Sequence, residues 1–156
     1  MSNDAMSNDD VVDELNKLIE TCKDGEYGFR TCAERVRSAE LRTLLTECAQ
    51  SCREGARELQ AAVARLGGKA EEDSSVSGTM HRGWVRLKEA LGGDSDLSML
   101  EECERGEDAA LVRYRDALKE DLPEPVAQLV RRQYEGVKRN HDRVRTLRDR
   151  LKATAT

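Results

Sequence analysis

Two stretches of this chain repeat one pattern 81 positions apart, with no gap in the register. Glu20, Cys22, Gly25 and Glu26 return as Glu101, Cys103, Gly106 and Glu107. Glu54 and Gly55 return as Glu135 and Gly136, and Val63 and Leu66 as Val144 and Leu147. Two copies fall short of the three or more stacked units that a solenoid needs to bury its faces. They suit a four-helix bundle made of two helical hairpins.

Composition supports long helices and a buried core. Charged residues make up 37% of the chain, aromatics 3%, and its two prolines, Pro123 and Pro125, sit close together. Many helix formers with almost no breakers is the mix of long helices, and 156 residues suffice for one domain with a core of its own. No run of about 18 apolar residues exists, which argues against a membrane span. The N-terminus has no basic stretch followed by an apolar one, so a cytoplasmic location is expected. The net charge of −5 is spread over interleaved acids and bases, which speaks against a nucleic-acid partner. Five cysteines, an odd number, read as reduced thiols rather than a disulfide framework.

Apolar spacing by threes and fours lays out the helices. Residues 1–9 carry MSND twice without periodicity and read as a disordered tail before a domain over 10–152. The first helix spans about 10–37, capped by Asp9 or Asp10, with Val11, Leu15, Leu18, Cys22, Gly25, Phe29, Cys32 and Val36 on one stripe. Ser38 is a cap for the second, about 40–66, which Gly67-Gly68 ends. A shorter helix over about 78–91 presents Met80, Trp84, Leu87 and Leu91, expected against the flank of the bundle. Ser95 or Asp96 caps the next helix, about 95–121, and the prolines open the last, about 124–151. The links within each hairpin are short, which makes their helices antiparallel neighbours. The link between hairpins is nearly thirty residues, enough to run the length of the bundle. The expected fold is therefore all-α, a ferritin-like four-helix bundle of two repeated hairpins joined by a long crossover that holds a short helix.

The segments LIETCKDGEYGFRTCAE, HRGWVRLKEAL, EECERGEDAALVRYRDAL and RQYEGVKRNHDRVRTLRDRL resemble a bacterial family of ferritin-like four-helix-bundle proteins of unassigned function, over residues 10 to 151. The resemblance implies the fold and supplies no reaction.

A ferritin-type iron pair needs one Glu from each of two helices and Glu-x-x-His from each of the other two. The matching tetrads are Glu54-Gly55-Ala56-Arg57 and Glu135-Gly136-Val137-Lys138, with a cation at each histidine position. A guanidinium or ammonium offers a metal no lone pair. By helical phase, Glu54 and Glu135 also lie off the apolar stripes, whereas Glu26 and Glu107 lie on them. Counting from the turn of each hairpin, Glu26 is level with Cys52 and Glu107 with Gln133, with Cys22 and Cys103 about a turn away. A candidate metal site at mid-bundle is thus Glu26, Glu107, Cys52 and Cys103, taking iron, zinc or copper. The competing reading places both glutamates at the stripe edge, each paired with an arginine, and treats the cysteines as small core residues. His81 and His141 are lone histidines, either of which can be a ligand, a proton carrier or a satisfied structural group.

Two functional readings follow. The first is a non-enzymatic cytoplasmic bundle, stress-related or accessory, that acts through association, including with copies of itself. The second is a metal-binding or redox ferritin relative with an atypical glutamate and cysteine site.

Overall fold

In the computed structural model, residues 6–70, 84, 87–92 and 95–154 are described. They form five helices: α1 (Asn8–Arg35), α2 (Ala39–Arg65), a short α3 (Leu87–Gly92), α4 (Asp96–Leu118) and α5 (Glu124–Thr154). The fold is the ferritin-like bundle expected from the repeat. α1 packs along α2 and α4 along α5, and the hairpins meet chiefly through α1 and α4.

Local chemistry explains the boundaries. Ser7 caps α1, its hydroxyl accepting from the Asp10 amide at 3.1 Å, so the helix begins before the aspartates and takes in part of the expected tail. Met6 packs on the core beside it. Ser38 and Ser95 cap α2 and α4 in the same way. Asp96 works across the bundle instead. Its carboxylate accepts from the amides of Arg37 (2.8 Å) and Ser38 (3.0 Å), tying the start of the second hairpin to the turn of the first. At the end of α2, Gly67 takes φ +76°. The Gly68 amide then reaches Val63 O and the Gly67 amide Ala64 O, the paired bonds of a Schellman stop. α4 ends at Leu118, earlier than expected, and α5 runs on to Thr154. Of the crossover helix, Leu87–Gly92 and Trp84 are described, and Met80 and His81 lie outside the described residues.

The core is divided in two. One apolar cluster, near the α1–α2 turn, joins Phe29, Cys32, Val36, Leu45, Cys48, Trp84, Leu100, Cys103 and Val144. The other fills the far end with Val11, Leu15, Leu18, Ile19, Leu59, Val63, Tyr114, Val126 and Val130. Between them lies a layer that the helices fill less well, and the polar side chains of interest collect there.

Candidate functional site

Glycine and cysteine shape the middle of the first hairpin. A Cβ on Gly25 would stand 2.7 Å from Cys52 Sγ, and one on Gly55 would stand 3.2 Å from Cys22 Sγ. Each thiol of one helix therefore sits over the glycine of the other. In the second hairpin, the repeat puts Cys103, Gly106, Gln133 and Gly136 at those positions, and the pairing is not repeated. A Cβ on Gly106 would meet the Trp84 indole at 2.5 Å, as would one on Gly28 of α1. The glycines at 28 and 106 form two facing notches that admit the indole between α1 and α4, where it is 3% exposed and edge-on to Phe29 at 5.1 Å. The crossover thus wedges into the bundle rather than lying on its flank.

Above that wedge is a chamber of about 460 Å³. Cys22, Cys52, Glu107, Tyr114, Gln133 and Trp84 line it from within. Its opening lies between α2 and α5, where exposed Ser51 and Glu54 stand opposite Gly136 and Arg139. A chain of hydrogen bonds crosses it. Tyr114 Oη donates to Gln133 Oε1 at 2.8 Å, so the Cys22 thiol, 3.3 Å away, is the donor to Tyr114. Gln133 Nε2 donates to Gly55 O (3.1 Å) and to Glu58 Oε1 (2.9 Å), and Glu58 pairs with Arg132 at the rim.

Glu107 takes no part in that network. It is 3% exposed, and its Oε1 is buried without any hydrogen-bond partner. Burial, reinforced by the charges of Asp108, Glu104 and Asp142, pushes its carboxyl well above the usual range. Burial likewise raises Cys52 strongly and Cys22 to about 11. Both thiols are therefore neutral at pH 7, and the acid holds its proton to higher pH than an exposed carboxyl does.

The four residues picked from sequence have separate fates. Glu107 and Cys52 line the chamber. Glu26, the repeat partner of Glu107, sits at the edge of α1 with a fifth of its side chain exposed and pairs with Arg30. Cys103 is buried in the apolar cluster beside Cys32, outside the chamber lining. The mid-bundle layer expected from phase is thus present on one side only. The cause is legible in the chain: four residues on, Glu26 has Arg30, where Glu107 has Leu111. Glu54 and Glu135 are exposed, as the stripes require, and Glu135 pairs with Lys138 at 3.8 Å. A ferritin iron pair does not fit this donor set. Tyr114 and Cys22 are chamber groups that spacing alone did not select, although both lie on apolar stripes. All five cysteines are free.

Two solved structures share this architecture. One is a two-domain protein of Anabaena variabilis containing DJ-1/ThiJ/PfpI-like and ferritin-like domains, with a TM-score of 0.77 and 18% identity over 97% of this chain. The chain spans only 42% of that protein. The other is the bacterioferritin-related protein of Bacteroides fragilis, described as a dodecameric thioferritin, with a TM-score of 0.72 and 16% identity over 96% of this chain and 92% of the other. These likenesses establish the ferritin-like fold. No curated protein matches the chain. Residues 10–120 match the family described as Domain of unknown function (DUF2383), and the chain belongs to that family.

Proposed function

We propose that the protein is a binding protein of the ferritin fold whose mid-bundle chamber captures a cation on Glu107, without the oxidase chemistry of an iron pair. One observation carries this reading: a buried carboxylate oxygen with no partner, in an open chamber that two thiols also line. An unpaired carboxyl in such a place costs free energy unless something binds it. Thiols favour soft or borderline ions, so copper(I) or zinc suits the set better than iron. Glu107, Cys52 and Cys22 would be the donors, losing their protons as the ion enters; they share the chamber lining, and their side chains would have to turn towards one another to meet on one ion. Tyr114 and Gln133 hold Cys22 in place through the hydrogen-bond chain. Glu26 and Cys103 drop out of the donor set.

The test is metal analysis of protein purified without affinity tag or chelator, followed by copper(I) and zinc uptake by the stripped protein. Uptake of one ion per chain more than Glu107→Gln takes up, with weaker uptake by Cys52→Ser, is the expected result. Wild-type uptake by both variants, or no uptake of either ion, rejects the reading.

Association is the second reading. Two large apolar side chains, Tyr27 (44%) and Val112 (49%), stand exposed on α1 and α4. One structural neighbour is described as a dodecamer. The measurement that bears on it is the solution mass.

A further inference from the structure

On the second hairpin, outside the chamber lining but next to Glu107 along α4, three donors of the kind that ligate metals converge. Glu104 and Asp108 are one helical turn apart on α4, and His141 reaches them from α5. One donor atom from each lies within 4.8 Å of the other two. We propose that Glu104, Asp108 and His141 form a second, separate site for one borderline divalent ion of the zinc type, which would clip α4 to α5.

The histidine carries the argument. His141 is 4% exposed, and its Nε2 is buried without a hydrogen-bond partner. That atom stands 2.8 Å from Asp108 Oδ1, off the line that a hydrogen bond requires, with Glu104 Oε2 at 3.9 Å. Lone pairs of an imidazole and a carboxylate repel at such a distance unless a cation sits between them. A proton on the ring is one such cation; a metal ion is the other, and it can also engage Glu104. Around zinc, ligand atoms at about 2.0 Å in a tetrahedron stand roughly 3.3 Å apart, so the observed spacings need only small side-chain shifts. One nitrogen and two carboxylates is a mixed donor set that suits zinc, with solvent in the open position.

The surroundings are consistent with one ion. Arg148 pairs with Glu104 through Oε1, which leaves Oε2 turned towards His141. Such an outer contact orients a ligating carboxylate. Arg145 Nε approaches Oε2 only to 3.8 Å, and Asp142 Oδ1 stands 3.9 Å from the other ring nitrogen. The Asp108 side chain is 61% exposed, which opens a route from solvent. The internal repeat supplies a contrast. At 81 residues' distance the three positions are Lys23, Tyr27 and Gln60, which bring an ammonium in place of a carboxylate. The site therefore belongs to the second hairpin alone, one per chain.

Chelator-stripped protein carrying Glu107→Gln and Cys52→Ser, which disable the chamber, is titrated with zinc chloride against a chromogenic chelator at about pH 7.5. One zinc per chain is expected. Adding Asp108→Asn should weaken it by at least about tenfold, and His141→Gln more. Cobalt(II) should give visible absorption that Asp108→Asn removes. Asp108 is exposed, so its variant should keep the parent's helicity and melting point without metal, and a loss of zinc then reports on ligation. The proposal is overturned if the chamber-disabled protein takes up no zinc, or if Asp108→Asn leaves zinc affinity unchanged. The first failure would leave the chamber reading untouched, because Glu107 and Cys52, two of its three donors, are absent from the titrated protein.

Discussion

Glu26 and Glu107 are copies of one residue, and one difference between their surroundings lies a single helical turn on. Arg30 draws Glu26 towards solvent, while Leu111 leaves Glu107 in the core. The consequence for stability has a definite sign. Burial raises the Glu107 pKa, so above about pH 4.5 the unfolded chain gives up a proton that the folded protein keeps. Stability from this position is then complete at low pH and is lost as pH rises towards the folded-state value. Glutamine removes the titration. Metal-free Glu107→Gln should melt with the parent near pH 4 and above it at pH 8, by roughly 1–3 kcal/mol. A difference that stays constant across that range would mean that Glu107 is as well solvated as a surface acid.

The helices meet through glycines whose roles are opposite. A Cβ on Gly106 would stand 2.5 Å from the Trp84 indole, whereas one on Gly136 would find only Arg139 Nη2, at 3.7 Å. Alanine favours a helix over glycine by up to about 1 kcal/mol, which wins only where there is room. Gly136→Ala should therefore stabilise the protein by roughly 0.5–1 kcal/mol. Gly106→Ala must push aside a ring held on both sides, and should cost about 1–3 kcal/mol. Trp84 is the sole tryptophan and reports on its own displacement. Its emission should shift red in Gly106→Ala and stay blue in Gly136→Ala. The same emission in both variants would show that the indole does not occupy the notch.

Across the whole bundle, the hairpins are held together unequally on their two sides. α1 and α4 close over Trp84 and the apolar clusters. α2 and α5 are bridged by exposed ion pairs, Glu40–Arg150 (3.3 Å), Glu47–Arg143 (2.7 Å) and Glu58–Arg132 (3.2 Å). The chamber opens on this looser side. Exposed pairs contribute about 1 kcal/mol or less each, since water already screens the charges. Arg143→Ala should thus cost no more than that in chemical denaturation. Leu45→Ala, at a fully buried position in the same half of the bundle, should cost about 2–5 kcal/mol. Equal losses would mean that the seam, and not the apolar clusters, carries the assembly.

The chain's own pattern sufficed for the fold because helical phase, caps and link lengths are local quantities. The stripe from Val11 to Val36, the Ser38 cap, the glycine stop after Leu66 and the long link between hairpins each follow from residues close in sequence. Phase also brought Cys52, Glu107 and Gln133 to one level, and put Glu54 and Glu135 outside. It could not fix how each helix turns about its axis against its neighbours, and an error of one residue is about 100°. Identical repeats therefore promised a symmetric layer of Glu26 and Glu107. Packing broke that symmetry, because Trp84, a residue without a counterpart in the repeat, enters one pair of notches while thiols fill the other. The meeting of His141 with Glu104 and Asp108 is of the same kind. His141 lies on a different helix from the two acids and far from them in sequence, and only the seating of α5 on α4 brings the imidazole to the two carboxylates.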